Sequence, residues 1–239
     1  MNNNTFNLFL ITIFISSFSF ANEFSAMTLN VDNLFDTLDD KNKDDKAYLP
    51  IEAKTSKKHK KSCNNIKVKS WKNECLFLDW DIETKNVKLK NLATSIISYD
   101  KNGADIVALQ EVENLNILNQ LFDLLEPYGY QDVMLIEGKD YRGIDTAIIS
   151  KYKILEAKLH YITFSGKFEG KDTRPILDAI IDVNGSKVKI YNVHFPSGFH
   201  DVSMRIDSLN LLSELLENHN YPTIALGDFN VNTKEDTKL

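Results

Sequence analysis

Four short apolar runs in this chain each stop on polar side chains that a buried strand does not need. Ser25 to Val31 (SAMTLNV) runs into Asp32, with Asn30 inside it. Ala104 to Leu109 runs into Gln110-Glu111. A later run closes on Asn192-Val193-His194, and Tyr221 to Leu226 closes on Gly227-Asp228-Phe229-Asn230. Taken singly, an Asp or Asn after a strand is a turn former, and Glu111 could serve the following helix as an N-terminal carboxylate. Four such endings in one chain point instead to one rim of a sheet where ligands gather. Oxygen donors of this kind suit a hard cation, Mg²⁺ first, with Mn²⁺ or Ca²⁺ as alternatives.

The remaining pattern alternates. Lys88 to Tyr99 and Leu115 to Leu125 carry apolar residues at helical spacing, and Val202 to Leu216 reads as an amphipathic helix. Between them lie strands at 131–136, 146–150, 154–164, 176–183 and 187–195. Asn184-Gly185 between the last two is a hairpin signal. The expectation is an α/β fold of mixed sheets covered by helices, in one domain over residues 22–239.

Residues 36–85 break the rhythm and read as a charged insertion. An acidic stretch, Asp36 to Asp45, precedes a basic one from Lys54 to Lys72. Trp71, Leu76, Phe77, Leu78 and Trp80 are expected to pin its far end to the domain. The net charge of -6 argues against a protein coated in basic surface, although a local lysine patch remains available for a polyanion. Phe6 to Phe20 is apolar or hydroxylic and ends in Ser19-Phe20-Ala21, the pattern of a signal peptide over residues 1–21, with secreted or periplasmic destination. The run is shorter than the ~20 residues that span a bilayer. In an exported chain Cys63 and Cys75 form a disulfide or remain two loop thiols.

IVALQEVEN, YNVHFPS and IALGDFN, in that order after TLNVDNLF, resemble the endonuclease/exonuclease/phosphatase superfamily. The resemblance runs from about Ser25 to the C-terminus. It implies a four-layer, DNase I-like sandwich: two mixed β-sheets face to face with helices outside. It also implies metal-dependent phosphodiester hydrolysis. Glu111 corresponds to the metal-binding glutamate, and Asn30 and Asp32 to the polar pair that helps hold the metal, Asn30 also facing substrate. Asp228 and Asn230 correspond to the Asp-x-Asn pair that positions water and contacts the phosphoryl oxygens. His194 corresponds to the histidine at the scissile phosphate, and Arg174 to a phosphate-contacting arginine. Asp145, which opens the run Thr146 to Ser150, is expected to pair with His194 and fix its tautomer.

Members of this superfamily continue to a Ser-Asp-His motif that activates the attacking water. The sequence reaches Leu239 without it, so the expectation is that the final strands are missing and turnover is impaired; His160, His200 and His219 lack the context to substitute. Extracellular nucleic acid is the first substrate expected, with a sphingomyelinase-like or phosphoinositide phosphatase activity on phospholipid second, and a non-catalytic nucleic-acid binder third. No obligate protein partner is evident.

Overall fold

The computed structural model describes residues 23–217 and 220–231. The expected signal segment, His219 and the last eight residues lie outside them. Eight strands form two mixed sheets of four. The first holds β1 (Ala26–Leu34), β2 (Ile106–Val112), β4 (Asp145–Ser150) and β3 (Asp132–Leu135), in that order. The second holds β5 (Lys153–His160), β6 (Ile176–Val183), β7 (Ser186–His194) and β8 (Thr223–Asp228). Each sheet has one parallel pair, β1 with β2 and β7 with β8, the other pairings being antiparallel.

Strand periodicity builds the layers. Ile106 and Ile148 of the first sheet meet Leu177, Ala179, Ile181 and Ile190 of the second in a core between the sheets. Their neighbours Val107, Leu109, Ala147 and Ile149 point the other way. There they meet helices α3 (Ile82–Ser98) and α4 (Leu115–Leu125) through Leu89, Ile96, Ile117 and Leu121. Tyr191 and Val193 project to the outer face of the second sheet, against Met204 and Leu212 of helix α5 (Val202–Glu217). Alternation at period two thus gives each sheet two apolar faces, which is why helices cover both outer sides. This is the four-layer sandwich expected from the sequence.

Local signals set the element ends. Asp81 and Asn114 cap α3 and α4 by accepting hydrogen bonds from the N–H groups of Thr84 (2.7 Å) and Ile117 (3.1 Å). Asn184 and Gly185 both have positive φ (52° and 86°) and join β6 to β7 with Val183 opposite Ser186. The helix expected from Lys88 starts six residues earlier, at Ile82, because its cap is Asp81.

Residues 36–81, most of the expected charged insertion at 36–85, have regular structure of their own. They fold into short 3₁₀ turns and two helices, α1 (Lys57–Asn64) and α2 (Lys69–Phe77), joined by a Cys63–Cys75 disulfide. Lys54, counted above with the basic face, is only 2 % exposed. Its ammonium donates to the carbonyls of Ala47 (2.7 Å), Glu74 (3.3 Å) and Leu78 (2.6 Å), tying down the end of α2. Trp80 does anchor the segment, donating through Nε1 to the Phe35 carbonyl at 3.1 Å. Trp71 and Phe77 do not; both are exposed. No helix among the described residues is long and apolar enough to cross a membrane.

Candidate active site

The strand ends singled out above meet where β1 packs against β8 across the two sheets. The Asn30 side-chain amide bridges them, its Nδ2 donating to Asp228 Oδ2 at 3.0 Å and Glu111 Oε1 at 3.3 Å. Asn30 Oδ1 accepts from the Asp32 N–H at 2.9 Å, which orients the amide. His194 lies on β7 directly across from Asp228 in the parallel ladder. Its Nε2 sits 3.5 Å from Glu111 Oε1 and 3.9 Å from Asp228 Oδ2.

Backbone irregularity aims these groups. Glu111 has φ 68°, and the register slips there in both pairings of β2, with β1 and with β4. Such a bulge re-aims a side chain out of the regular alternation. Asp32 and Asn33 (φ 52° and 65°) form the matching irregularity on β1. Gly227 is required by close approach: a Cβ there would lie 2.1 Å from the Val193 carbonyl oxygen, at φ 137°. The glycine lets β8 lie against β7 closely enough to bring Asp228 beside His194.

Asn230 and Arg174 converge one residue beyond the histidine. Asn230 Nδ2 and Arg174 Nη2 both donate to the Phe195 carbonyl, at 3.0 and 3.2 Å. The Asn230 N–H donates to Asp228 Oδ1 at 2.9 Å. Arg174 is largely buried, with Nη1 3.6 Å from Asp140 Oδ2 and its Nε lacking a partner. Asp32 is placed differently from the other carboxylates. Its side chain is exposed on the rim and meets Asn33 (3.5 Å), and its carbonyl accepts from Lys88.

The expected Asp145–His194 pair is corrected by the structure. Asp145 Oδ1 accepts the Gly138 N–H at 2.9 Å, while His194 Nδ1 is buried with no hydrogen-bond partner. The carboxylate that reaches the ring is that of Glu111, because the β2 bulge turns it inward. Burial pushes the Asp145 carboxyl up to about 7, although the Gly138 N–H and the Lys43 charge oppose this.

Burial above all, then the Arg174 and Arg142 guanidiniums, drives the His194 imidazole down to about 2. The ring is therefore neutral, and its approaches to Glu111 and Asp228 are contacts of a neutral imidazole rather than ion pairs. The nearby cations are engaged elsewhere: Lys88 with the Asp32 carbonyl, Arg142 with Asn33 Oδ1 (3.2 Å), Arg174 with Asp140 and Phe195. Two carboxylates held 3.0 and 3.3 Å from one amide, with no side-chain cation on either among the described residues, make a donor set that fits a hard divalent ion.

Lys88 and Arg142 are two further residues at the rim. Both reach the rim through helix and loop placement that no local motif announces. His160 and His200, which lack the context to substitute for the motif histidine, bond Asp178 (3.0 Å) and Ser197 (3.2 Å).

With this geometry in view, residues 80–237 match the model of the Endonuclease/Exonuclease/phosphatase family. The chain belongs to that family. Nucleases and phosphatases, both named in the family's description, cleave phosphoester bonds. Among solved structures the family member is similar to the β-hairpin deletion mutant of beta toxin from Staphylococcus aureus, at 18 % identity and TM-score 0.52, covering 89 % of this chain and 69 % of that one. It is also similar to humanized TDP2 of D. rerio, at 20 % identity and TM-score 0.51, covering 66 % of this chain. This chain spans 65 % of that TDP2 chain. These likenesses bear on the fold. No curated protein matches the sequence.

Proposed function

We propose that this family member hydrolyses phosphodiesters with the aid of a divalent cation, nucleic acid being the preferred substrate. The observation that carries the reading is the Asn30 amide shared between Glu111 and Asp228, with a neutral His194 beside both. Glu111 and Asp228 would hold the ion, Mg²⁺ first, with the Asn30 amide orienting both carboxylates and Asp32 at the rim. Bound there, the ion supplies positive charge against the phosphoryl oxygens.

The protein's own groups do the rest. A neutral imidazole can donate one N–H to a phosphoryl oxygen without bringing a charge that Glu111 would capture. Asp228, aligned by the Asn230 N–H, is placed to accept a proton from water. Asn230 and Arg174 hold the Phe195 carbonyl and so fix the stretch that follows His194. Positioning and fixed dipoles of this kind supply much of the barrier reduction in phosphoryl chemistry.

Two features support nucleic acid. Lys57, Lys58, Lys60 and Lys61 of α1 are exposed. A cavity of about 270 Å³ beside the site is lined by Tyr48, Trp71, Asn33 and Arg142. Aromatic rings next to a guanidinium suit a base and its phosphate. One observation favours the lipid alternative: Phe199, five residues past His194, is 98 % exposed. An exposed ring of this kind can enter an interface. We place the chain in a secreted or periplasmic setting, on the strength of its first 21 residues and its two cysteines.

Plasmid DNA and sphingomyelin vesicles, each with Mg²⁺ and with EDTA, test the reading. Metal-dependent nicking of the plasmid supports it. Lipid turnover without nicking selects the alternative, and DNA retention without cleavage selects a binder.

A further inference from the structure

A second group of carboxylates gathers around the loop after β1 and the end of β2. Asp40 and Asp45 come from the loop after β1, and Glu113 follows β2. One oxygen from each lies within 4.8 Å of the others. Asp45 is 1 % and Glu113 3 % exposed.

Each buried carboxylate has one oxygen employed and one bare. Glu113 Oε2 accepts the Asp36 N–H at 2.7 Å, and Asp45 Oδ2 accepts the Asp40 N–H at 2.6 Å. Glu113 Oε1 and Asp45 Oδ1 are buried with no hydrogen-bond partner. The neighbouring lysines are used elsewhere, Lys43 on the Asp140 carbonyl (3.1 Å) and Lys46 on Asp44 (3.0 Å). The adjacent Asp36 spends its carboxylate on the Leu38 N–H and the amides of Asn114 and Asn116.

Bare buried carboxylate oxygens are strongly unfavourable unless a proton neutralises them or a cation lies beside them. Three acidic side chains, two of them from one loop, offer more oxygen donors than Mg²⁺ usually takes from protein. Their loop origin suits the larger and less strict shell of Ca²⁺. We propose that Asp40, Asp45 and Glu113 form a structural Ca²⁺ site, distinct from the Glu111–Asp228 centre, which fastens the loop after β1 to the end of β2. The inference does not depend on the catalytic reading.

Equilibrium dialysis and thermal melts on the full chain test it, in a Glu111→Gln/Asp228→Asn background that disables the other centre. One Ca²⁺ per chain should bind, with a rise in Tm, and Mg²⁺ should bind at least tenfold more weakly. Adding Asp45→Asn should weaken Ca²⁺ at least 100-fold, abolish the Ca²⁺-dependent rise, and leave Tm in EDTA unchanged or higher, since a bare charge is removed. Asp40→Asn, at a less buried position, should weaken binding in the same direction and serves where Asp45→Asn does not fold. Absence of Ca²⁺ binding in the background, Ca²⁺ binding unchanged by the substitution that folds, or equal affinity for Mg²⁺ overturns the proposal.

Discussion

Gln110 Nε2 donates to Asn192 Oδ1 at 2.8 Å across the space between the two sheets. Asn192 is fully buried and donates in turn to the carbonyls of Leu109 and Ala147, both at 2.9 Å. One side chain of the second sheet thus reads two strands of the first. Gln110 precedes Glu111, and Asn192 lies two residues before His194, so this polar tie sets the offset between the strands that carry the candidate site. Asn192→Ala should cost about 3 kcal/mol in urea unfolding, because several buried polar groups lose their partners. Gln110→Leu/Asn192→Leu should cost less than the sum of the single changes. Additive costs would show that the two side chains act separately.

Glu111→Gln should lower metal-dependent phosphodiester turnover by about 10²–10³ with little change in Tm. The charge is lost while shape and the Asn30 contact are kept. Asn30→Ala should act in the same direction through the orientation of both carboxylates. The check is initial nicking rate against Mg²⁺ concentration. Undiminished turnover in both variants would remove Glu111 and Asn30 from the site.

His194 should make the fold less stable in acid. Its folded value, about 2, lies below its ordinary 6.5. The unfolded chain therefore takes up a proton that the folded chain refuses, so stability is held above pH 6.5 and lost as pH falls from there toward 2. His194→Asn should flatten that loss in urea midpoints measured from pH 7 to 4. In the wild type, ¹⁵N NMR should show a neutral ring at pH 5. An imidazolium at that pH contradicts the assignment.

Asp145 should act with the opposite sign. Its folded value, about 7, lies above the ordinary 3.8. Its stabilising share is fully present below pH 3.8 and is lost as pH rises through about 7. Asp145→Asn keeps an oxygen for the Gly138 N–H and should raise Tm at pH 8 with little effect near pH 4. The gain has a ceiling of roughly 4 kcal/mol. Turnover and its pH profile should survive, since no hydrogen bond joins Asp145 to His194. A selective loss of turnover would restore the dyad.

Gly227→Ala should unfold the second sheet or cost more than about 3 kcal/mol, because the added Cβ meets the Val193 backbone at 2.1–2.9 Å. Gly170→Ala, at φ 75° with nothing within 4 Å, should cost about 1 kcal/mol, the backbone strain alone. Comparable Tm losses in the two variants would argue against the close β7–β8 approach.

Much of the architecture was legible because the signals are local. Apolar period two along β6 and β7, the Asn184-Gly185 turn and the helical spacing in α4 depend only on neighbours in sequence. The polar strand ends were legible for the same reason, since nothing in a buried strand calls for Glu111 or His194. The basic segment was only partly legible: lysine composition does not distinguish exposed Lys57 from Lys54, whose ammonium is consumed by three carbonyls.

The amino-acid order by itself determined which segments become strands and helices and which of their ends carry charge, since backbone preference and apolar spacing act over a few residues. Only the tertiary structure decided that Asn30 bridges Glu111 and Asp228, 198 positions from Asn30. It also decided that His194 faces Glu111 rather than Asp145, and that Asp45 and Glu113 share a buried space. Those outcomes follow from a bulge at one residue and from how two sheets stack, and a shift of one position in either would send each side chain to the opposite face.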